Sequence, residues 1–205
     1  MQRDDRYRKI IHENEYVLKM QNEVLPYLAE RVSEAWIPCA PENRGRVHVL
    51  RYLADKARGV VVISHGFSES AQKYPELIYY FLQEHYHVYV PEHCGHGLSY
   101  RLTDDPSLVH LDRWNRYSRD FLRVSRLIRK SHPGMPLYLF AHSMGGAVAA
   151  IAAAREPYMY KKSNFVFSDD PSSDGKCPLS CCNQNFPGSL QNRERNEVCS
   201  RPEAI

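Results

Sequence analysis

The run from Leu137 to Arg155, LYLFAHSMGGAVAAIAAAR, constrains the fold more than any other part of this chain. Leu137, Tyr138, Leu139 and Phe140 follow Pro136 as an unbroken apolar stretch, the pattern of a strand covered on both faces. From Met144 the character changes to Gly145 and Gly146, then to Ala147, Ala149, Ala150, Ala152, Ala153 and Ala154. That composition suits a helix lying close against the strand. Only Ala141, His142 and Ser143 separate the two patterns, so the chain turns sharply from strand to helix. One hydroxyl, on Ser143, stands at the apex between small residues. A doubly covered strand running straight into a helix belongs to an α/β sheet with helices on its faces.

Two upstream stretches share the design. Val60 to Ile63 form a second buried strand that ends at His65-Gly66-Phe67, and His87 to Val90 form a third that ends in PEHCGHGLSY. Ala141, Ser143 and Gly145 stand at the x-x-S-x-G spacing of a nucleophile elbow, with Ala141 where a glycine is usual. Pro91, Glu92, His93, Gly95, Gly97 and Ser99 fit a Pro-[Asp/Glu]-His-x-Gly-x-Gly-x-Ser loop. With ESAQKYPEL and RLTDDPSLVHLDRW, these motifs resemble the α/β-hydrolase fold, in the branch of bacterial lysophospholipases and monoacylglycerol lipases. The resemblance covers about residues 45 to 162, and three motifs in the correct order are far more specific than any one alone.

The resemblance implies roles for particular residues. Ser143 is the candidate nucleophile. The backbone N–H groups of Phe67 and Met144 are the candidate oxyanion donors, and His65, Gly66, Ala141 and Gly145 shape the turns that carry them. Ester hydrolysis by this fold also needs an acid and a histidine base, placed after the serine in chain order. No histidine follows His142 in this sequence. Two readings therefore stay open. One is a serine ester hydrolase releasing a fatty acid from lysophospholipids or monoacylglycerols. The other is a non-catalytic hydrolase-like fragment or binding module. A different esterase or a serine aminopeptidase of the same fold also stays open.

After Lys162 the sequence changes character, and helical and strand periodicities both vanish. Cys177, Cys181, Cys182 and Cys199 lie here, at a spacing that matches no standard zinc site. The expectation is a tail read out of frame. One permitted codon choice from Lys161, AAA AAG AGC AAT TTT GTT TTC TCC GAT GAT, gives Lys-Arg-Ala-Ile-Leu-Phe-Ser-Pro-Met when shifted forward by one nucleotide. That peptide resembles the family's next strand. The alternative is a lineage-specific disordered tail. The organisation expected is a helical extension over 1–44, the N-terminal portion of a hydrolase core over 45–162, and a tail over 163–205 outside the sheet.

Composition narrows the class. The net charge is only +3, with acids and bases interspersed, so no nucleic-acid footprint is present. No apolar run reaches the roughly 20 residues that span a bilayer. The N-terminal MQRDDRYRKIIHENEY is charged throughout and lacks a signal-peptide core. The expectation is a cytoplasmic protein with peripheral membrane contact left open, acting on a lipid or small ester without a cofactor. His93, Cys94 and His96 read as parts of a structural glycine loop rather than metal ligands. The remaining elements expected are a strand over Arg46 to Leu53 and helices over Gln72 to His85 and Asp112 to Lys130. Leu77, Tyr80, Phe81 and Leu82 form the apolar side of the first helix. Trp114, Tyr117, Phe121, Val124 and Ile128 repeat at helical spacing as the core face of the second.

Overall fold

The computed structural model describes residues 10–39 and 45–166. Among the described residues a six-stranded sheet runs in the order β1-β2-β4-β3-β5-β6. Its strands are β1 (Val32–Pro38), β2 (Arg46–Tyr52), β3 (Gly59–Ser64), β4 (Tyr86–Pro91), β5 (Leu137–His142) and β6 (Lys162–Val166). Strands β3 to β6 are parallel, whereas β2 runs antiparallel to both β1 and β4. The architecture is the mostly parallel α/β sheet that the sequence implies.

Alternation along each central strand divides the core in two. Val60 and Val62 of β3 and Leu137, Leu139 and Ala141 of β5 face one cluster. That cluster is closed by α4 (Asn115–Ser131) and α5 (Met144–Arg155). Val61 and Ile63 face the other cluster, with Tyr138 and Phe140 packed against it. Helix α3 (Pro75–Gln83) covers this side with the N-terminal helical segment. That segment passes from α1 (Tyr16–Lys19) through a π-turn (Met20–Val24) into α2 (Leu25–Ala29). Pro26 has no N–H to continue an α-helical ladder, which accounts for the widened turn before it.

Four expectations need correction. The extension over 1–44 is not all helical, because Val32–Pro38 pairs along its whole length with β2. Alternation of Val32, Glu34 and Trp36 outward with Ser33, Ala35 and Ile37 inward is the strand period that the surrounding charge obscured. The boundary at 162 falls inside β6, so residues 163–166 belong to the sheet. Parallel pairing with β5 runs from Lys162 opposite Tyr138 to Val166 opposite His142, and backbone hydrogen bonding needs no apolar pattern to form it. Trp114 is 48% exposed at the start of α4, resting edge-on against Tyr117 rather than in the core. In α3 the fully buried residues are Ile78 and Leu82, while Leu77, Tyr80 and Phe81 pack only partly. The tail cysteines Cys177, Cys181, Cys182 and Cys199 lie outside the described residues.

Candidate active site

Strands β3 and β5 end level, with Ser64 opposite Ala141. The segments that follow, 65–67 and 142–144, therefore leave the carboxyl edge of the sheet side by side, where open α/β sheets place their ligand sites. Gly145 makes this approach possible. A Cβ there would lie 2.2 Å from the Ser64 carbonyl oxygen and 2.5 Å from that of His65. The Ser64 hydroxyl donates to the Gly145 carbonyl at 3.0 Å, which fixes the first turn of α5 to the end of β3.

Ser143 joins strand to helix at φ 51° and ψ −124°. A non-glycine residue in this region carries strain of roughly 1–3 kcal/mol, held in place by the surrounding structure. Its carbonyl accepts the Gly146 N–H at 2.8 Å, and the side chain is half-buried at the edge of the sheet. Met144 is the first residue of α5, so its N–H has no partner within the helix. Phe67 is exposed, its ring edge-on to His96 with centroids 5.6 Å apart.

Behind these groups stand three buried histidines whose tautomers follow from their partners. His65 accepts the His93 N–H at Nε2 (2.9 Å), so its proton sits on Nδ1 and is donated to the Gly66 carbonyl (2.8 Å). Because the Ser64 hydroxyl gives its hydrogen to Gly145, it must accept one from His93 Nε2, 3.1 Å away. His96 accepts the Ser68 N–H at Nε2 and so donates from Nδ1 to the Cys94 carbonyl. All three rings are neutral. Burial holds His65 down at about 4, partly opposed by its bond to the Gly66 carbonyl. Burial and the two neighbouring rings keep His93 well below the ordinary range, and burial lowers His96 in the same direction.

Two carboxylates organise the loops. Glu92 is buried and accepts from Ala71 N–H (3.1 Å), Leu98 N–H (2.7 Å) and His48 Nδ1 (2.9 Å). A Cβ on Gly97, at φ 49°, would collide with that carboxylate, so the loop requires glycine there. The Ser99 hydroxyl donates to the Glu92 carbonyl and accepts the His48 N–H. Glu69 lies on the other side of the site and contacts Gly66, Lys73, Tyr74 and His142. In the sequence Glu69 stands only as the first residue of ESAQKYPEL and His48 only within the strand over Arg46 to Leu53, neither marked as a site residue. The spacing of Glu69 and Lys73, four apart, was the available signal for the first.

The structure thus brings His65, Gly66, Ala141, Ser143, Met144 and Gly145 to one edge, with Phe67 on the loop beside them. His93, Cys94 and His96 do not converge. The two histidines direct Nε2 to Ser64 and to Ser68, and burial pushes the Cys94 thiol up to about 11.

A mostly parallel sheet, helices on both faces and a strand–serine–helix junction at the carboxyl edge define an α/β hydrolase, here the N-terminal part of that fold. Within that class, residues 55–168 match the family described as serine aminopeptidase, S33, and the chain belongs to it. Lysophospholipase L2 of Escherichia coli (strain K12) is 37% identical over 111 residues, 54% of this chain and 33% of the relative. Monoacylglycerol lipase of Mycolicibacterium smegmatis is 29% identical over 154 residues, 72% of this chain and 53% of the relative. A thermostable carboxyl esterase from Bacillus coagulans shares the fold at a TM-score of 0.59 and 22% identity, over 66% of this chain and 44% of that one. The chain therefore spans about a third to a half of the length of these proteins.

Proposed function

We propose that this chain carries the nucleophile and oxyanion-binding half of a serine hydrolase that cleaves monoacyl lipid esters, lysophospholipids or monoacylglycerols. The observation that carries the reading is the backbone of Ser143, held at φ 51° between β5 and α5. The lipid-ester class is favoured over peptides by relatives named for lysophospholipids and monoacylglycerols. In the reaction, Ser143 Oγ attacks the acyl carbonyl carbon, and the Phe67 and Met144 N–H groups stabilise the oxyanion that forms. Collapse expels the alcohol and leaves an acyl-serine, which water hydrolyses to the fatty acid.

The base that takes the serine proton is not His65, because both of its ring nitrogens are committed to backbone groups. A nucleophilic serine without a bonded histidine base turns over on the order of 10³–10⁶ more slowly than one in a complete triad, and that is the range expected of residues 1–205 assayed alone. A second reading, a module that binds the lipid ester without cleaving it, is favoured by one observation. Among the described residues, no basic side chain is bonded to Ser143 Oγ. Fatty-acid release from lysophosphatidylcholine and from a 1-monoacylglycerol by the purified chain decides between them. Slow release that Ser143→Ala abolishes supports the hydrolase. Release that persists in Ser143→Ala overturns it, and saturable binding without release favours the module.

A further inference from the structure

One carboxylate touches both loops that carry the proposed oxyanion donors. Glu69 is largely buried, its side chain 10% exposed. It accepts the Gly66 N–H at 2.8 Å on Oε2. On the elbow side it meets His142 Nδ1 at 3.0 Å through Oε1 and 3.2 Å through Oε2. A carboxylate can only accept, so Nδ1 of His142 carries the proton. Gly66 is where this bridge crosses the loop. A Cβ there would lie 3.0 Å from the Glu69 carboxylate and 3.1 Å from His142 Nδ1.

The next peptide along is fixed from its other end. The Gly66 carbonyl accepts His65 Nδ1–H at 2.8 Å and the Glu69 N–H at 3.4 Å. In a planar trans peptide the N–H points away from the carbonyl, so holding the Gly66 oxygen aims the Phe67 N–H in the opposite direction. His142 in turn precedes Ser143 and Met144 directly. We propose that Glu69 is a positioning residue that ties the Phe67 and Met144 donors together as one oxyanion-binding unit.

The inference rests on the hydrolase reading of Ser143. Lys73 and the Tyr74 hydroxyl complete the carboxylate's surroundings. Burial pushes Glu69 upward, but hydrogen bonds from Lys73, Tyr74 and the Gly66 N–H outweigh it and hold the group at about 2. It is therefore ionised and able to serve several donors at once. Removing one oxyanion donor costs about 10²–10³ in rate, and misaligning a pair costs less, about 10–10².

The test is the rate at which Ser143 is phosphonylated by a fluorophosphonate at millimolar concentration, read by mass spectrometry beside the melting temperature. Glu69→Ala slows the adduct by about 10- to 100-fold. Glu69→Gln keeps an acceptor for the Gly66 N–H and restores most of that rate. If Glu69→Ala fails to fold, His142→Ala cuts the bridge from the elbow side and slows the adduct by about 10-fold. A lowered melting temperature with an unchanged phosphonylation rate overturns the proposal and makes Glu69 a stabilising residue alone. Absence of any Ser143 adduct in the unsubstituted chain is a different failure, that of the hydrolase reading itself.

Discussion

The two edges of the parallel strands are built differently. At the carboxyl edge, Ser64, His65, Glu92, His93, His96 and Ser99 are all buried and hydrogen-bonded to one another or to the loops they hold. At the opposite edge the turns are open. Arg58 and Glu84 pair at 3.0 Å with both side chains about half exposed, and the His85 ring meets the carbonyl of the exposed Asp55 at 3.2 Å. Positive φ occurs at both, at Ser68, Gly95, Gly97 and Ser143 on one side and at Lys56, His85 and Gly134 on the other. Strain alone therefore does not mark a site. What distinguishes the carboxyl edge is strain enclosed by buried polar groups, where unpaired partners are costly and geometry is correspondingly fixed.

Glycine replacements break this comparison most sharply. Gly145→Ala drives a Cβ into two backbone carbonyls that cannot step aside, and costs at least about 3 kcal/mol in urea denaturation, or prevents folding. Equal losses for Gly145→Ala and an opposite-edge glycine would erase the distinction. Acid comes next. His65 titrates near 4 when folded and near 6.5 when unfolded, so the unfolded chain binds more protons between these values. Its contribution is fully present above pH 6.5 and is lost as pH falls toward 4, a change of about 3 kcal/mol. His93 and His96 shift in the same direction and add to it. Urea midpoints measured from pH 7 to pH 4 should fall steeply across this window, and a flat profile would mean that the histidine wall is wet. The smallest effect is Gly134→Ala, whose Cβ meets nothing within 4 Å, leaving only the φ of 79° to cost about 1 kcal/mol.

The carboxyl edge was also the more legible region. Apolar runs at Val60–Ile63 and Leu137–Phe140 lead directly into small or polar turns, so strand ends, elbow and loop order could all be read from local pattern. The two outermost strands of the sheet, β1 and β6, were harder. β1 sits among charged residues and shows its alternation only once β2 is known to pair with it. Ser163 to Val166 join the sheet through backbone pairing, which leaves no side-chain signature. Glu69 and Glu92 illustrate the same limit within the site. Each is a loop carboxylate whose meaning comes from groups far along the chain, His142 in one case and His48 in the other. No local period encodes such contacts. Gly97 and Gly145 were visible as motif glycines, but the Glu92 carboxylate and the Ser64 carbonyl that exclude a side chain there are tertiary facts.

The central claim is that the carboxyl edge presents Ser143 as a nucleophile. Its most direct test is the site of covalent modification when the folded chain is held with an excess of fluorophosphonate and digested for mass spectrometry. The account predicts one slowly formed adduct on Ser143, absent from Ser143→Ala under the same conditions. Modification of another residue at a comparable rate, or a folded chain that never gains an adduct at Ser143, would contradict it.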